Sequence, residues 1–589
     1  MNRCSRDLNS YPTVLLESFS KTDFGRSFSF EEPEEIIVAH SLEEVLPALA
    51  RIEQSVAGGM HAAGFINYEA ASALNPELPL MTQSDLPLLW FGIFSKRRQV
   101  TAERDTEHSD CRISEPQLDI SRDQYCRSIN SIRDAIARGE TYQVNYTVRQ
   151  KFSVAGDPFA LYRRICRNQQ APFCAWINTG SHKILSASPE LFFALQGDQL
   201  TMKPMKGTAA RLPSPAEDLR QKEKLGQSPK DRAENLMIVD LVRNDLSTIA
   251  FNGTVEVPSL FNIETYPTVH QMTSTVTARI APETRITDIF RALFPCGSIT
   301  GAPKRRTMEI IRDLETSSRG VYCGAIGYIS PDREALFSVA IRTAVIDSNN
   351  RGEVGVGGGI TWYSNPNAEF GECHAKSAFL TRDSSYFCLI ETLRHDQHGY
   401  LMLDRHLHRL FGSANYFGFH VDLDKVISNL EEFARQLHGI HKVRLLLDTD
   451  GTITVESTQI EATEIDAPPL KLAVSEKKID SNDPFLYHKT TRRAVYEDAR
   501  NSHPEADDVL LINERNEITE GCFNNIVVRI GEEMLTPATA CGLLAGVLRQ
   551  ELIEIGAIRE AVLTLDDIYN AGRIWLINSV RGWRECRID

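Results

Sequence analysis

The chain has 589 residues, of which 42% are hydrophobic and 24% are charged, and its formal net charge is −15. This length is too great for one hydrophobic core and predicts roughly two to four domains of a soluble globular protein. Lys and Arg are spread along the chain, which excludes the concentrated basic surface that binding to nucleic acid or to an anionic membrane requires.

The beginning of the sequence contains no apolar segment typical of a signal peptide, because Val14-Leu15-Leu16 is followed at once by Glu17. No apolar run approaches the roughly 18 residues of a membrane-spanning helix. The 12 cysteines include no Cys-x-x-Cys pair, so neither a zinc site nor a disulfide framework is indicated. We therefore expect a cytoplasmic protein.

Strand-like and helix-like segments alternate along the first part of the chain, which predicts a mixed α/β (α+β) fold. The apolar periodicity of 124–138 predicts an amphipathic helix. The segment 101–120 is polar and aperiodic, which predicts an exposed loop. A second break, at Thr381–Ser385, precedes a new apolar run and predicts a boundary near residue 383. We therefore expect a domain of residues 1–382 and another of residues 383–589.

The segment that begins at Ser228 carries strong signals of a helix start. Ser228 can cap the helix, Pro229 suits its first position, and Asp231 lies where a capping-box carboxylate would. Glu234 follows one turn into the helix. Taken alone, this carboxylate could simply face solvent.

A second set of carboxylates follows the glycine run Val354–Ile360, which could itself be no more than a tight turn. Glu369, Glu372 and Lys376 are spaced by three and four residues, so they form one stripe on a helix. The stripe could be a surface ion pair worth about a few tenths of a kcal/mol. It could also be a magnesium site beside a cation that meets a substrate carboxylate.

Further motifs accompany these residues in a definite order along the chain. They are Ser188-Pro-Glu190, Pro204-Met-Lys-Gly-Thr208, His270, Gly297-Ser-Ile-Thr-Gly-Ala-Pro303, Ile341-Arg-Thr343 and Gly357-Gly-Gly-Ile360. From about residue 12 to about residue 380, the whole set resembles the chorismate-utilising enzymes, which include anthranilate, aminodeoxychorismate, isochorismate and salicylate synthases. The resemblance implies a single domain whose site lies between two stacked sheets.

The resemblance also implies roles for the motif residues in binding chorismate, which is a dianion. Glu234 and Glu372 would bind Mg²⁺, which holds the ring carboxylate. The residues that would contact the enolpyruvyl carboxylate are Tyr322, Arg342, Gly358 and Lys376. The residues that would lie near the leaving ring hydroxyl are His270 and Thr300.

Two positions distinguish the branches of this family. Members that add water carry a lysine base where this chain has Gln143, and a glutamine cannot act as a base. Anthranilate synthases carry alanine where this chain has Lys206, whereas aminodeoxychorismate synthases carry lysine. The resemblance implies that Lys206 attacks a ring carbon, because a desolvated lysine loses its proton readily. Glu190 would be the general acid and base. An ordinary substrate-binding role for Lys206, and anthranilate as the product, remain alternatives.

The source of ammonia is not evident within the chain. The sequence contains no Gly-x-Cys-x-Gly nucleophile elbow of a glutamine amidotransferase. Ammonia must therefore come from solution or from a separate glutamine amidotransferase subunit, and we expect the subunit.

The last part of the chain carries a different set of motifs. They are Glu391-Thr-Leu-Arg394, Leu403–Leu410, His488-Lys-Thr-Thr-Arg492, Ile518–Ile526, Leu543–Arg549 and Asn578–Gly582. Singly each has a plain explanation, since Arg409 could lie on a solvated helix face and Gly546 could only start a helix. In this order they resemble the fold-type IV pyridoxal-phosphate (PLP) enzymes, which include class IV aminotransferases and aminodeoxychorismate lyase.

This second resemblance implies a PLP site. Lys489 would bind the cofactor covalently, and Glu520 would pair with the pyridine nitrogen, which makes the ring an electron sink. Thr392 would help to protonate the leaving enolpyruvate. The residues that would bind the phosphate are Arg409, Val547, Leu548 and Ser579. Members of this class normally begin with a further strand that this sequence lacks, which leaves one wall of the site unexplained.

The two resemblances together predict amination of chorismate to 4-amino-4-deoxychorismate and elimination of pyruvate to give 4-aminobenzoate, a unit of folate. One reaction makes what the other consumes, and covalent joining raises the local concentration of the intermediate. Two alternatives stay open for the second part: an aminotransferase with another substrate, or a degenerate PLP fold that binds a partner. Analogy favours a homodimer through the PLP domain.

Overall fold

The computed structural model describes residues 13–19, 24–81, 84–102, 111–382, 386–461 and 468–588. The chain separates into two compact units. Unit 1 comprises Met1–Ala210 and Lys222–Ser384, and unit 2 comprises Arg211–Gln221 and Ser385–Asp589. The predicted boundary near residue 383 lies outside the described residues.

Unit 1 contains two antiparallel sheets. The strand order of sheet I is Gly301–Ala302, Gln143–Gly156, Arg351–Ile360, Thr343–Asp347, His182–Ser188, Phe173–Asn178, Thr13–Glu17, Phe28–Phe30 and Arg98–Gln99. The strand order of sheet II is Met205–Ala210, Val269–Arg279, Gln199–Lys203, Leu191–Gln196, Glu334–Val339, Ala325–Ser330, His61–Ile66, Leu89–Phe94 and Glu35–Ala39. Glu256–Thr265 also pairs with Val269–Arg279.

The two sheets pack face to face around a shared apolar core. Val14 and Phe30 of sheet I lie in one buried cluster with Phe65, Trp90 and Ile326 of sheet II. Such burial of two apolar faces against each other is the usual way that sheets are stabilised. The predicted pair of stacked sheets is therefore confirmed.

Helices cover the outer face of each sheet. Leu49, Val242 and Phe290 come from three helices and pack against sheet II, while Tyr125 and Ile311 come from two others and pack against sheet I. The helices are Leu42–Ala57, Ala71–Leu74, Arg122–Ala137, Pro158–Gln169, Pro229–Ser247, Ile286–Leu293, Lys304–Leu314 and Pro366–Ser377, with Pro215–Gln227 shared between the units, and the 3-10 turns are Tyr68–Ala70, Gly297–Ile299 and Ala378–Leu380.

Local signals determine where two helices of the site begin. Ser228 caps Pro229–Ser247 by accepting the Asp231 backbone N–H, and Asn365 caps Pro366–Ser377 by accepting backbone N–H groups in its first turn. Each helix has proline at its first position, where the ring costs no hydrogen bond. The predicted helix start at Ser228 is confirmed, and the helix predicted over 124–138 is Arg122–Ala137.

The loop predicted over 101–120 is partly wrong. Residues 103–110 lie outside the described residues, but Cys111–Ile113 and Gln117–Leu118 are short strands that pair with Gln143–Gly156. Cys111 and Ile113, on either side of the exposed Arg112, pack against one apolar cluster, and Leu118 packs against another. These contacts with cores distant in sequence stabilise the short strands.

Unit 2 also contains two sheets. The strand order of sheet III is Gly399–Tyr400, Leu389–Asp396, His441–Leu447 and Ile453–Gln459. The strand order of the mixed sheet IV is Ile518–Gly521, Asp508–Ile512, Leu470–Val474, Gly582–Ile588, Arg573–Asn578, Asn525–Ile530, Glu533–Pro537 and Arg559–Ala561. The helices of this unit are Leu403–Phe417, Leu423–Ala434, Ala494–Ser502, Val547–Glu554 and Leu565–Tyr569, with 3-10 turns at Pro484–Leu486 and Thr539–Cys541.

Each sheet of unit 2 has its own apolar core. Leu407 and Leu430 come from two helices and pack against Val443 and Leu445 of sheet III. Ile568 comes from a short helix and belongs to the core of sheet IV. Within the described ranges, no helix combines the length and the apolar character needed to cross a membrane.

Candidate active sites

Lys206 and Glu190 lie at the beginnings of two strands of sheet II and are close enough for their charges to interact. Lys206 is half-buried in the strand Met205–Ala210, and Glu190 is 2% exposed just before the strand Leu191–Gln196. Ser188 shapes the turn at Glu190, because its hydroxyl accepts the Glu190 backbone N–H at 3.2 Å and donates to the Val339 carbonyl at 2.6 Å. The short Ser-Pro-Glu motif thus fixes the carboxyl next to the lysine.

The two groups change each other's ionisation. Burial raises the pKa of Glu190 to about 7, although Ser298, Lys206 and the Met205 backbone oppose that rise. Burial lowers the pKa of Lys206, against the attraction of Glu190 and Glu234. Nucleophilic attack needs an amine that has lost its proton, and proton transfer needs a carboxyl that exchanges its proton near neutral pH. The two pKa shifts favour these two states.

The glycine run of the strand Arg351–Ile360 leaves room for side chains from three directions. A Cβ on Gly358 would lie 3.2 Å from Lys376 Nζ and 3.5 Å from Glu369 Oε2. A Cβ on Gly359 would lie 2.4 Å from Gln143 Nε2 and 2.9 Å from Lys206 Nζ. Lys376 therefore approaches the strand at Gly358, and Lys206 approaches it at Gly359.

Lys376 and Glu372 form the ion pair that their spacing allows, with 2.6 Å between Nζ and Oε1. Lys376 also donates to the Gly357 carbonyl at 2.6 Å. Burial raises the pKa of Glu369, and Glu372 raises it further. The simple ion-pair interpretation thus holds in this structure, and the role of Glu372 in metal binding stays a prediction.

The charge of Lys230 acts on carboxylates of two helices. Its Nζ lies 3.9 Å from Glu234 Oε1, and it opposes the rise that burial causes in the pKa of Glu369. Burial raises the pKa of Glu234. Within the described residues, no group of three or more His, Cys, Asp and Glu side chains could hold a metal by itself. Glu234 of one helix and Glu372 of the other are nonetheless carboxylates of the kind that fit Mg²⁺, which takes its other ligands from substrate and water.

Arg342 and Tyr322 lie beside Lys376. The Arg342 guanidinium donates to the Lys376 carbonyl, and its charge interacts with Tyr322 and Glu372. The Tyr322 ring packs directly on Gly355, where a Cβ would lie 2.1 Å from Cδ1. The structure thus places Arg342 next to the Lys376 backbone and within the electrostatic reach of Tyr322, and a guanidinium suits an anionic group.

His270 and Thr300 lie in elements that border this space. His270 is on the strand that pairs with the strand of Lys206, and its Nδ1 lies 3.1 Å from Thr265 Oγ1. The buried Thr300 hydroxyl donates to the carbonyls of Cys296 and Gly297, each at 3.2 Å. Contact of either side chain with a ring hydroxyl stays a prediction.

Unit 2 contains a cavity of about 560 Å³ between its sheets. The residues predicted for a PLP site that line it are Thr392, Arg409, Lys489, Glu520, Val547, Leu548 and Ser579. All the residues that sequence comparison assigned to this site therefore meet in one cavity of a size suited to a small cofactor and substrate.

The surroundings of Lys489 and Glu520 shift the pKa values of both side chains. Burial, together with Arg409 and Arg493, lowers the pKa of Lys489 to about 8. Burial raises the pKa of Glu520 to about 7. The Glu520 carboxyl accepts the Tyr496 hydroxyl at 2.8 Å, the Leu544 N–H at 3.1 Å and the Asn525 amide at 3.2 Å. These bonds hold the carboxyl in one orientation.

Arg409 lies beside the start of the helix Val547–Glu554, where it also approaches the Ala545 carbonyl at 3.4 Å. Its Nε and Nη2 donate to the two oxygens of Glu391 at 2.9 and 2.7 Å. Gly546 caps the helix Val547–Glu554, and a Cβ there would lie only 2.0 Å from Asn525 Oδ1. The remaining guanidinium N–H groups and the unbonded first amides of the helix fit a phosphate group.

Several site residues were not predicted from the sequence. Asn235 bonds to the backbone of Lys206, while Tyr496 and Asn525 hold Glu520. Arg493 stacks on Tyr496 with 4.5 Å between the guanidinium and the ring centroid. Asn235 directly follows Glu234 and Asn525 lies within the Ile518–Ile526 motif, so proximity to a motif was the available signal; Tyr496 offered none.

Comparison with known proteins agrees with this division. Residues 14–382 match the family model described as chorismate binding enzyme, and residues 388–588 match the model described as amino-transferase class IV. Aminodeoxychorismate synthase component 1 of Salmonella typhimurium is 41% identical over 283 residues, which are 48% of this chain and 62% of that relative. The chain thus spans less than two thirds of that relative.

Other similar proteins extend the comparison. Anthranilate synthase component 1 of Streptomyces coelicolor is 37% identical over 264 residues, which are 44% of this chain and 52% of that relative. The crystal structure of anthranilate synthase component I from Streptococcus pneumoniae is 24% identical, with a TM-score of 0.53, over 61% of this chain and 92% of that one. This last likeness shows the fold of the first part.

Proposed function

The chain belongs to the chorismate-binding enzymes, whose family model matches residues 14–382, and we propose that it makes 4-aminobenzoate from chorismate and ammonia in two steps. Unit 1 aminates chorismate to 4-amino-4-deoxychorismate, and unit 2 removes pyruvate. The observation that carries the proposal is the electrostatic interaction of Lys206 with the buried Glu190, whose pKa is raised by burial to about 7.

Substrate binding in unit 1 depends on charge. Chorismate carries two carboxylates. The cation Lys376 lies beside Gly358, and the cation Arg342 donates a hydrogen bond to the Lys376 backbone carbonyl. Mg²⁺, when held by Glu234 and Glu372, would neutralise the other carboxylate. An interaction that neutralises the substrate also favours the departure of hydroxide from its ring.

The amination needs a nucleophile and a proton donor. The neutral Lys206 Nζ forms a bond to a ring carbon, the ring double bonds shift, and the C4–O bond breaks while protonated Glu190 gives its proton to the leaving hydroxyl, which departs as water. Ammonia then bonds to C4 and gives one proton to Glu190, the double bonds shift back, and Lys206 leaves as a neutral amine. The enzyme returns to its starting state.

The elimination in unit 2 uses a second lysine. PLP, when bound, supplies an electron sink at the carbon that bears the amine. Lys489 Nζ, whose pKa is lowered to about 8, takes the proton from that carbon. Thr392 Oγ1 lies in the same cavity and gives a proton to the enolpyruvate that leaves. Glu520 would hold the cofactor ring, and Arg409 would hold its phosphate.

The supply of ammonia and the assembly of the chain belong to this proposal. A relative of the first part is named component 1, which supports a separate glutamine amidotransferase as the partner. The homodimer and the cytoplasmic location stay predictions.

The direct test is product analysis. The purified chain is incubated with chorismate, Mg²⁺ and excess ammonium at mildly alkaline pH, with and without PLP, and the products are separated by chromatography. We expect 4-aminobenzoate and equimolar pyruvate, with 4-amino-4-deoxychorismate accumulating in Lys489→Ala and no amination in Lys206→Ala. Anthranilate as the product would contradict the role of Lys206. A requirement for a 2-oxoacid would contradict the lyase and indicate an aminotransferase.

A further inference from the structure

Gln143 is a buried amide whose polar atoms have no partner among the described residues. Its side chain is 1% exposed, and neither Oε1 nor Nε2 makes a hydrogen bond. Buried polar groups are almost always hydrogen-bonded, because an unmade bond costs about 1–3 kcal/mol. A buried amide without a hydrogen-bond partner in a candidate active site therefore indicates that its partner forms the hydrogen bond only during binding or reaction.

The amine of Lys206, the proposed nucleophile, lies close to this amide. Gln143 Nε2 and Lys206 Nζ lie 2.4 and 2.9 Å from the point that a Cβ on Gly359 would occupy. A half-turn of the amide exchanges its oxygen and nitrogen, so either atom can face the lysine. The Glu190 Oε1 atom, whose carboxyl acts on Lys206 through its charge, also has no hydrogen-bond partner among the described residues. The side chains of Gln143 and Lys206 thus approach the same point, and the amide there has unused bonding capacity.

We propose that Gln143 is a positioning residue, which accepts a hydrogen bond from the neutral amine of Lys206 and directs the nitrogen lone pair toward the substrate ring. This inference rests on the proposed amination. A neutral primary amine has two N–H groups and one lone pair, and free rotation about its last C–N bond points that lone pair in several directions. One fixed N–H bond removes most of that freedom, which favours a productive approach.

The chemistry of an amide suits this task because it adds no charge. The titratable groups that act on Lys206 come from several elements and are Glu190, Glu234, Cys296 and Lys376. A carboxylate at position 143 would favour the ammonium form of Lys206 and remove the lone pair that attacks. An amide oxygen accepts the same hydrogen bond while leaving the amine neutral.

The test uses two variants with a matched control. Gln143→Met keeps the length of the side chain without an acceptor, and Gln143→Glu keeps the acceptor but adds a charge. Gln150→Met is the control, because Gln150 is 0% exposed in the same strand, is equally unpartnered, and points to the opposite face by the alternation of a strand. Thermal unfolding of all three shows whether each variant folds.

We expect Gln143→Met to lower kcat for amination with ammonium about tenfold with little change in KM for chorismate, since one hydrogen bond to the nucleophile is lost. Gln143→Glu should be slow near pH 7 and recover at higher pH, while Gln150→Met should match the unsubstituted chain. Unchanged kcat in Gln143→Met, or an equal loss in Gln150→Met, would overturn the proposal.

A second measurement does not depend on turnover. Trinitrobenzenesulfonate modifies only neutral amines, and mass spectrometry of the Lys206 peptide follows its labelling rate as pH rises. In Gln143→Glu the rise should move to higher pH than in the unsubstituted chain, and in Gln150→Met it should not move. An unmoved profile in Gln143→Glu means that the two side chains do not interact. A moved profile in a chain that makes no amination product would refute the proposed function and leave the contact established.

Discussion

Asn235 donates its side-chain amide to the backbone carbonyl of Lys206 across 3.2 Å. The same amide approaches the Met272 carbonyl at 3.4 Å, and its oxygen accepts the Ser274 hydroxyl at 2.6 Å. Because Asn235 directly follows Glu234, one buried side chain connects the helix of the predicted metal ligand with the strand of the predicted nucleophile.

Asn235→Ala should therefore weaken both stability and catalysis. The loss of buried hydrogen bonds is expected to cost about 1–3 kcal/mol in the free energy of unfolding. Displacement of Glu234 against Lys206 should also raise the Mg²⁺ concentration needed for half-maximal amination, as measured by a titration with the metal. Asn168→Ala is the control, since the buried Asn168 amide also donates to two backbone carbonyls, at 2.7 and 3.0 Å, in another part of unit 1. An equal metal requirement in the two variants would mean that Asn235 is only structural.

Glu190 makes the stability of the chain depend on pH. Burial raises its pKa from 4.5 to about 7, so the folded state binds an extra proton between those values. The free energy of unfolding therefore falls as pH rises through that window. Glu190→Gln cannot titrate, so its free energy of unfolding does not fall in this way. We expect the free energy of unfolding of the variant, minus that of the unsubstituted chain, to be about 2 kcal/mol greater at pH 8 than at pH 5. Denaturant titrations at the two pH values measure the difference. A gain that is the same at both would show that the carboxyl does not titrate in that range.

The sequence predicted best what local chemistry determines. The helix start at Ser228 follows from a cap and a proline, and both lie within four residues of each other. The strands at Cys111–Ile113 and Gln117–Leu118 could not be predicted in the same way, because each is at most three residues long and is stabilised by pairing with a strand distant in sequence. The membership of Arg211–Gln221 in unit 2 likewise depends on contacts distant in sequence.

The same distinction applies to the site residues. Motif residues such as Lys206 and Lys489 could be given predicted roles from the sequence, because the motifs occur as an ordered set, although each motif alone has a plain explanation. The side chains that hold them could not, because Asn235 and Tyr496 are recognisable only once the folded backbone places them beside Lys206 and Glu520. Residue spacing showed that Glu372 and Lys376 face one side of a helix, and the ion pair between them is confirmed.

Glu391 should be essential for the position of Arg409. Burial works to raise the pKa of Glu391, but Arg409 and His406 outweigh it and lower that pKa to about 2. The pair therefore stabilises the fold above pH 4.5 and loses this effect as pH falls toward 2. Glu391→Gln leaves a buried guanidinium without its counter-charge, which costs about 3–5 kcal/mol.

Two measurements check this expectation. The unfolding midpoint at neutral pH should fall in Glu391→Gln, and the PLP concentration needed to saturate cofactor absorbance should rise. Glu456→Gln is the control, because it removes a pair with Arg444 whose side chains are 58% and 41% exposed, and such a pair is worth at most about 1 kcal/mol. Comparable losses in the two variants would contradict a structural role for the buried pair.

Thr392 and Arg444 lie opposite each other in the register of sheet III, and both line the cavity of unit 2. A lyase substrate with two carboxylates needs a cation near the group that leaves, so we expect Arg444→Gln to raise KM for 4-amino-4-deoxychorismate about 10–100-fold. Thr392→Val removes only the hydroxyl and should lower kcat for pyruvate release instead. PLP absorbance should be unchanged in both variants.

The control for this pair is Arg394→Gln. Arg394 lies in the same strand as Thr392 and pairs in register with Lys442, but it is not among the cavity-lining residues of the described chain. A coupled assay for pyruvate with purified 4-amino-4-deoxychorismate gives KM and kcat for each variant. If Arg394→Gln raises KM as much as Arg444→Gln, the effect is general electrostatic attraction. If Thr392→Val keeps full kcat, the proton that completes pyruvate comes from another group, and Lys489 is then the candidate because its pKa of about 8 lets it return the proton that it has taken.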